Sequence, residues 1–563
     1  MAKLTPLAKG LITVTILAVA GAAAWQLGLR EVIEDAMGGG SPVAGGPSGE
    51  GTSGSPTPTP TTPPPSSGGP LGSAGNPLKV SIVSFHGYAP ALVANGNALK
   101  TKPGSIFAQE GVNVEFIIQD DIPTLATIFT SKTAQCAWRT SDFWAQEHPN
   151  LRNAGLDGRA VVIVDNTQGA DAIIARDPSI NRVEDLTGKK VALLQYTPSH
   201  GMVIDAIDNS SLSARKKQRV NYVYINADEG TAGVRAAFES GSVDAAALWD
   251  PDLSLALKNT SGAKVVYSTK TATNLIFDVM VCNKAVLDDP ANTPVIQSFV
   301  TGWMKGVDAA RAEPAKAFDA LVATEEFFAL LSQKEGKGFV MGLFDNLVWT
   351  GIADNARILG LSGGTDHYSR VYKRFDQIYR AAGALANPNS PVINPAESFD
   401  TRYIEKLLAA NPAEKAEAAK PVGTFDSATA AKASAQPAIL TKPVSVNFKT
   451  GSSSLSKRAQ KTIDDDMVPL IENNGQAYFE VSGNTDATGS RRTNKRLSLQ
   501  RSQAVVKYLV EEWEFRKERF LVVGNGSEKP LCRERNFEAD GDYATLDDCR
   551  AANRSTRIAV LTN

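Results

Sequence analysis

The sequence GNTDATG at residues 483–489 forms a polar turn between two segments of different periodicity. Residues 478–482 (YFEVS) alternate in the way that is typical of a half-buried β-strand. Beyond the turn, apolar residues recur at helical spacing between positions 497 and 513, which predicts an amphipathic helix. The pattern therefore places Asp486 in a strand-to-helix turn and Arg501 well along the helix.

An acid and a guanidinium placed in this way can grip a zwitterion. The carboxylate of Asp486 would receive an ammonium group, and the planar fork of Arg501 would receive a carboxylate. The residues alone leave a second interpretation open, in which Asp486 belongs to an ordinary helix cap and Arg501 is a solvated surface side chain.

Three motifs in the last part of the chain carry a family resemblance. The first is NTDxxG at residues 484–489 with NxxLSxxRSxxV at residues 494–505. The second is the turn GNGSEKP at 524–530, and the third is NRSTRI at 553–558. Together they resemble the OmpA-like peptidoglycan-binding domain, for which we set the boundaries 443–563. The resemblance implies an α+β fold for this domain.

The resemblance also implies a ligand, the peptidoglycan of the cell wall. Asp486 and Arg501 would clamp the diaminopimelate of its stem peptide. Supporting roles are expected for Asn494, Thr485 and one of the closing arginines, Arg554 or Arg557. The sequence does not decide between these two arginines.

The amino-terminal part of the chain contains a segment that can cross a membrane. Residues 10–29 carry no charge and are long enough for a membrane-spanning helix. Lys3 and Lys9 precede the segment, and the positive-inside rule then places the amino end in the cytoplasm and the rest of the chain in the periplasm. We predict an uncleaved inner-membrane anchor over residues 1–37, with a cleaved signal peptide as the alternative.

Residues 38–77 are dominated by Gly, Pro, Ser and Thr, which predicts an extended or disordered linker. The formal net charge of the chain is −2, and its basic residues are dispersed. This charge gives no electrostatic basis for nucleic-acid binding, so we expect none.

The middle of the chain, residues 78–410, reads as alternating strands and helices. Short apolar runs such as 79–83, 190–194 and 221–225 predict strands, and stretches such as 200–208 predict helices between them. This alternation predicts an α/β fold with a mostly parallel sheet, and the length suits two lobes. Residues 411–442, rich in Ala, Lys, Glu and Pro, are predicted to be a partly helical connector.

A second resemblance covers most of this region. It rests on GADAIIAR at residues 169–176, IxxVEDLTGKKVA at 180–192, AAFxxGxVDAA at 236–246 and WDP at 249–251. These motifs look like the periplasmic substrate-binding proteins of nitrate, sulfonate and taurine ABC importers. The resemblance implies a two-lobed type II binding-protein fold, a small polar or anionic solute, and an ABC permease as a candidate partner.

Ligands of open α/β sheets lie beyond the carboxyl ends of strands, often at helix amino ends. Thr197, Ser199 and His200 follow a predicted strand in this way, although an ordinary Thr/Ser helix cap explains them equally well. An aspartate at position 250 favours a ligand with a positive group. The full set of predicted solute-binding residues is His86, Tyr88, Thr140, Ser141, Thr197, Ser199, His200, Trp249 and Asp250.

The chain has four cysteines. Cys532 and Cys549 are predicted to form a disulfide in an oxidising compartment, with two free loop thiols as the alternative. Cys136 and Cys282 lie in apolar segments and are predicted to be buried free thiols.

The sequence therefore predicts a non-enzymatic envelope protein that binds a solute and holds peptidoglycan. No metal, cofactor or catalytic residue is expected, and a dimer is compatible with the sequence. One alternative is a structural tether whose lobes bind nothing. The other is an enzyme similar to the thiamine-pyrimidine synthases of the same superfamily, although no nucleophile–His–acid set stands out in the sequence.

Overall fold

The computed structural model describes residues 69–563, except 126, 130, 421–422, 450, 540–541 and 562–563. The predicted anchor at residues 1–37 and most of the predicted linker lie outside this part of the chain. Within it, none of the helices combines the length and the apolar character that a membrane crossing requires. Residues 69–77, the end of the predicted linker, are folded against the first lobe, where the Asn113 amide donates to the Gly72 carbonyl at 2.8 Å.

The described residues form three β-sheets, and the strands agree in position with the apolar runs of the sequence. The strands are β1 Leu78–Ile82, β2 Val114–Ile118, β3 Cys136–Thr140, β4 Gly158–Thr167, β5 Asp171–Ala175, β6 Lys190–Leu194, β7 Asn221–Ile225, β8 Ala245–Trp249, β9 Lys264–Ser268, β10 Phe277–Asn283, β11 Leu347–Trp349, β12 Leu440–Val444, β13 Tyr478–Asn484, β14 Phe520–Gly526 and β15 Thr556–Leu561.

Helices cover the faces of these sheets. They are α1 Ala89–Ala94, α2 Ile106–Gln109, α3 Ile122–Leu125, α4 Ser141–Asn153, α5 Pro198–Asp208, α6 Ala214–Lys217, α7 Gly230–Ser240, α8 Asp252–Asn259, α9 Lys284–Asp288, α10 Thr293–Ala312, α11 Pro314–Thr324, α12 Glu326–Glu335, α13 Lys337–Gly342, α14 Ile352–Ile358, α15 His367–Ala382, α16 Arg402–Ala410, α17 Pro412–Ala418, α18 Ser427–Ser434, α19 Lys457–Asp466, α20 Val468–Asn473, α21 Arg491–Glu512 and α22 Leu546–Asn553.

Two lobes make up the predicted solute-binding region, which confirms the two-lobed α/β architecture. The prediction of a mostly parallel sheet is wrong, because five of the nine strand pairs in the two sheets are antiparallel. The first lobe contains a six-stranded sheet of order β11-β4-β10-β3-β1-β2, and the second contains a five-stranded sheet of order β7-β6-β8-β5-β9. The chain passes from the first lobe to the second between β4 and β5 and returns between β9 and β10. Both crossings are short, with residues 168–170 between β4 and β5 and residues 269–276 between β9 and β10.

The carboxyl-terminal part of the described chain forms an α+β domain. Its sheet has the order β12-β15-β13-β14, in which β13 and β14 run parallel and the other pairs are antiparallel. The long helix α21 lies against β13 and β14 and covers one face of the sheet with buried residues that include Val505 and Leu509.

This domain is hydrogen-bonded to the solute-binding lobes. The Thr441 amide donates to Glu184 of the second lobe at 2.8 Å, and the Asn274 side-chain amide donates to the Glu472 carbonyl at 2.8 Å. The buried Glu472 carboxylate also forms an ion pair with Arg370 of α15. The contacts therefore involve both the second lobe and the helical part of the first.

The prediction that Cys136 and Cys282 are free thiols is wrong. The two residues face each other on the antiparallel pair β3–β10 and are joined in a disulfide, although they are 146 positions apart in the sequence. A second disulfide joins Cys532 and Cys549, which are 17 positions apart.

Candidate functional sites

The turn after β13 is fixed from three sides by hydrogen bonds. The Thr485 amide donates to the Gly526 carbonyl at 2.9 Å. The Asn494 side-chain amide donates to the carbonyls of Asp486 at 3.3 Å and Thr488 at 3.0 Å. The Thr488 amide in turn donates to Oδ1 of Asp486 at 3.0 Å. These bonds hold the Asp486 carboxylate in one orientation, and the Asn494 side chain supplies two of them.

Two glycines allow the helix that carries Arg501 to lie directly on the sheet. A Cβ atom at Gly483 would lie 2.1 Å from the Ser498 carbonyl oxygen, and one at Gly524 would lie 2.6 Å from the Leu499 amide nitrogen. Both distances are far shorter than van der Waals contact. The close approach of α21 to β13 and β14 therefore depends on these two residues, and it brings Arg501 to the side of the Asp486 turn.

Asp486 makes an ion pair with Arg554, whose Nη1 lies 2.6 Å from Oδ2 of the carboxylate. Partial burial acts to raise the pKa of Asp486, but the hydrogen bonds from Arg554 and from Thr488 outweigh it, and the pKa is lowered from its ordinary value. The carboxylate is therefore ionised at neutral pH and is able to receive a cation.

Arg501 lies near this carboxylate without forming an ion pair with it among the described residues. Its Nε donates to the Ser452 carbonyl at 3.2 Å, and its guanidinium lies 4.9 Å from the centre of the Phe448 ring. Burial lowers the pKa of Arg501. The charge of Asp486 acts to raise this pKa, and the charge of Arg554 acts to lower it. No hydrogen bond of its two terminal nitrogens occurs within the described part of the chain, so the fork is open for a carboxylate ligand.

The two closing arginines differ in their surroundings. The side chain of Arg554 is 46% exposed and contacts Asp486, whereas Arg557 is 8% exposed and donates from Nε to Ser555 Oγ at 3.3 Å. Burial lowers the pKa of Arg557 to about 10, so it stays a cation at neutral pH. The hydroxyl of Thr485 is buried and has no hydrogen-bond partner among the described residues.

The loop closed by Cys532 and Cys549 also reaches the turn. Glu534 accepts hydrogen bonds from the Ala487 amide at 3.1 and 3.2 Å and from the Asn553 side-chain amide at 2.8 Å. Sequence reasoning did not single out Glu534. The available signal was its position inside the same disulfide loop, two residues after Cys532.

A cavity of about 340 Å³ lies between the two lobes. Its walls follow the carboxyl ends of β1, β2, β7 and β8, which is where an α/β sheet places its ligands. Of the nine predicted solute-binding residues, Thr197 and Trp249 line it. The Thr197 hydroxyl donates to the Leu194 carbonyl at 2.8 Å, and it accepts no capping hydrogen bond from the described amides of α5.

The four predicted residues of the first lobe lie in its interior. The His86 ring is fully buried 4.4 Å from that of Phe85, and burial lowers the pKa of His86 to about 3. The Tyr88 hydroxyl donates to Asp278 at 3.1 Å. The hydroxyls of Thr140 and Ser141 accept backbone amide hydrogen bonds, both at 3.4 Å.

The remaining three predicted residues are buried in or beside the second lobe. Ser199 is fully buried, and Nδ1 of His200 accepts a hydrogen bond from the Tyr196 amide at 3.1 Å. Asp250 accepts hydrogen bonds from the Asn346 side chain at 2.7 Å and the Ser254 amide at 2.9 Å, and burial raises its pKa to about 6. A direct solute contact stays a prediction for these three residues and for the four in the first lobe.

Besides Thr197 and Trp249, the cavity is lined by residues that the sequence reasoning did not select. Its polar wall includes Ser84, Asp120 and Asp121 from the first lobe, and Asp228, Glu229, Thr231 and Asp252 from the second. These residues follow the carboxyl ends of β1, β2, β7 and β8. The strand-end rule that selected Thr197 would have selected most of them, had it been applied to every strand.

Two family models match the chain in separate regions. Residues 447–541 match the model described as OmpA family, and residues 105–317 match the model described as NMT1/THI5 like. A curated relative, the putative aliphatic sulfonates-binding protein of Escherichia coli strain K12, is 36% identical over 85 residues. That match spans 15% of this chain and 24% of the relative, about a quarter of its length.

Solved structures similar to the chain include the periplasmic aliphatic sulphonate binding protein SsuA from Escherichia coli. It has a TM-score of 0.43 and 15% identity, covering 57% of this chain and 96% of that chain. The periplasmic nitrate-binding protein NrtA from Synechocystis PCC 6803 has a TM-score of 0.44 and 11% identity, covering 59% of this chain and 88% of that one.

Proposed function

We propose that this chain, which combines an NMT1/THI5-like domain with an OmpA family domain after it, binds peptidoglycan and a small polar solute in the cell envelope. The observation that carries the proposal is the arrangement of Asp486 and Arg501. The first is an ionised carboxylate fixed on a turn, and the second is a nearby guanidinium whose terminal nitrogens have no hydrogen bond within the described chain. Such a pair suits the zwitterionic centre of diaminopimelate.

Within this proposal, Arg554 has a defined role. It already neutralises one oxygen of Asp486 and is accessible at the surface, so it is the closing arginine that would meet ligand. Arg557 would act from the interior as a fixed positive charge. Asn494 would position the turn, and Thr485 would support it from the interior through the hydrogen bond of its amide to the Gly526 carbonyl.

The solute would bind in the cavity between the lobes, and closure of the lobes would exclude water from it. This role requires binding and release and no bond-breaking step, so we propose a non-enzymatic protein. Because the similar proteins are solute-binding proteins, we propose that this chain delivers its solute to an ABC permease. A structural tether that binds no solute is the competing function.

We further propose that residues 10–29 anchor the chain in the inner membrane and leave the remainder in the periplasm. Amino-terminal sequencing of the protein purified from membranes tests the anchor. A natural start is expected, whereas a mature start near Trp25 would show cleavage.

Peptidoglycan binding is tested by cosedimentation of the full-length protein with purified sacculi, in competition with free stem peptide. The proposal expects competition by a peptide that contains diaminopimelate and much weaker competition by one with lysine in its place. Only the former carries the additional zwitterionic centre that the pair of side chains would recognise. Equal competition by both peptides would contradict the proposed site.

A further inference from the structure

The walls of the cavity between the lobes carry charges of one sign. Five carboxylate side chains line it, and no Lys, Arg or His does so among the described residues. The five are Asp120, Asp121, Asp228, Glu229 and Asp252. Asp252 is partly neutralised by Arg235 at 3.2 Å, whereas no ion pair of the other four occurs within the described chain. Carboxylates gathered around a cleft produce a negative potential that attracts cations and repels anions.

The amino ends of α5 and α7 also border the cavity through Pro198 and Gly230. A helix amino end carries roughly half of a positive elementary charge. The partial positive charge of two helix ends is smaller than the negative charge of the four carboxylates that form no ion pair within the described chain. The acidic side chains therefore make the potential of the cavity negative.

A buried acid also lies next to the cavity wall. Glu325 is 2% exposed, and neither carboxylate oxygen has a hydrogen-bond partner among the described residues. It lies beside Ser84 and Asp120, both of which line the cavity. Burial and the negative charge of Asp120 raise the pKa of Glu325 well above its ordinary value, so the isolated side chain is a neutral acid at neutral pH. A cation bound nearby in the cavity would favour its ionised form.

Four aromatic side chains also line the cavity. Trp138, Phe143, Trp249 and Phe327 line the cavity beside the acids. Aromatic faces attract cations, and most strongly cations that are poorly hydrated. The combination of acids and aromatic rings distinguishes an organic cation from an inorganic one, which would seek oxygen ligands alone.

We infer that the solute is an organic ammonium cation with an apolar body, of the quaternary ammonium class. This inference rests on the proposed solute binding and gives it a chemical identity. The charge is opposite to that of the sulfonates and nitrate in the names of the similar proteins. The cleft of this chain is therefore specialised for a different ligand class.

Three probes of matched size test the inference by titration calorimetry with the full-length protein. Choline is the cation, 3,3-dimethylbutan-1-ol is its uncharged carbon analogue, and 2-hydroxyethanesulfonate is the corresponding anion. Choline is expected to bind at least tenfold more tightly than the other two. Tighter or equal binding of the sulfonate would overturn the cation assignment while leaving solute binding intact.

Equal binding of choline and its uncharged analogue would also overturn the assignment, because it would show recognition of the apolar body alone. Binding of none of the three would overturn the inference. Titration with nitrate and amino acids would then decide whether the lobes bind any solute, so the two failures are distinguishable.

The variant Asp228→Asn locates the site. It removes one charge from the cavity wall with little change in shape, and we expect about fivefold weaker choline binding. Asp319→Asn is the matched control, since it removes one exposed carboxylate of α11 that does not line the cavity, and it should leave choline binding unchanged. Equal affinities in both variants would overturn the placement of the cation in this cavity.

Discussion

Arg554 Nη1 lies 2.6 Å from Asp486 Oδ2, so the carboxylate expected to receive the ammonium of the ligand is already paired with one arginine. The pair keeps Asp486 ionised, since the Arg554 hydrogen bond acts to lower the pKa of this carboxyl. We therefore expect the domain to bind peptidoglycan at neutral and mildly acidic pH and to lose binding only as the pH falls through the lowered pKa of Asp486.

The variant Arg554→Ala tests this relationship. Loss of the arginine removes one cause of the lowered pKa, so the pKa of Asp486 should rise. The variant also lacks the ligand contact proposed for Arg554, so peptidoglycan binding should be weaker at neutral pH and should be lost at a higher pH than in the parent protein. Carbon-detected NMR of the Asp486 carboxyl and cosedimentation at several pH values measure the two effects. Identical pH profiles in parent and variant would show that Arg554 does not tune this carboxylate.

The Asp486 pair also links stability to pH. Because the folded-state pKa is lowered, the stabilisation is present above the ordinary pKa of an aspartate and is lost as the pH falls through the lowered value. Arg554→Ala should consequently flatten the pH dependence of thermal stability on the acidic side. An unchanged pH dependence would indicate that other carboxylates control acid unfolding.

The close packing of α21 on β13 predicts a severe effect at one glycine. Gly483→Ala would place a methyl group 2.1 Å from the Ser498 carbonyl oxygen, so the helix must shift and the Asp486–Arg501 geometry must be lost. We expect destabilisation of at least about 3 kcal/mol. Gly338→Ala, which meets nothing within 4 Å, is the control and should be close to neutral by chemical denaturation. A neutral result for Gly483→Ala would contradict the packing described here.

The disulfide between Cys136 and Cys282 closes a much longer stretch of chain than the one between Cys532 and Cys549, with 146 positions against 17. The loop-entropy argument predicts about 5 kcal/mol of stabilisation for the first and about 3 kcal/mol for the second. Removing each pair by double alanine substitution and measuring thermal unfolding tests the order. A smaller loss for the Cys136–Cys282 pair would show that chain entropy does not dominate.

The position of the strands could be predicted from the sequence, because buried strands leave apolar runs that a local pattern detects. The pairing of Cys136 with Cys282 could not, since it depends on β10 returning beside β3 after an excursion through the whole second lobe. The sequence shows that both residues are in apolar segments and does not show which strands become neighbours.

The candidate sites were also only partly predictable from the sequence. Asp486 and Arg501 were accessible to sequence reasoning because one turn and one helix carry both. The solute-binding residues were harder to predict, since the strand-end rule gives the position of a residue along the chain but not the direction of its side chain. His86 and Ser199 follow strand ends as expected, yet both are fully buried outside the cavity lining. Asp120 and Asp228 lie at equivalent strand ends and line the cavity.

The contact between the carboxyl-terminal domain and the lobes is open to test through Glu472. This carboxylate is 5% exposed, and its partners are Arg370 and the Thr365 hydroxyl at 3.2 Å. Arg370→Ala would leave a buried charge without its cation and should weaken the interface by about 1–3 kcal/mol, since Arg370 itself is partly exposed. Calorimetry is expected to resolve separate unfolding of the two parts in the variant. A single transition, unchanged in temperature, would contradict the proposed coupling.

Sacculus binding by full-length Asp486→Ala and Arg501→Ala proteins tests the proposed peptidoglycan site directly. Each substitution removes one charge-assisted contact worth about 1.5–3 kcal/mol, so affinity should fall by roughly ten- to a hundredfold while circular dichroism stays unchanged. Arg496→Ala, which removes an exposed arginine from the same helix, should bind like the parent. If both site variants remain folded and cosediment with sacculi as well as Arg496→Ala does, Asp486 and Arg501 do not form the peptidoglycan site.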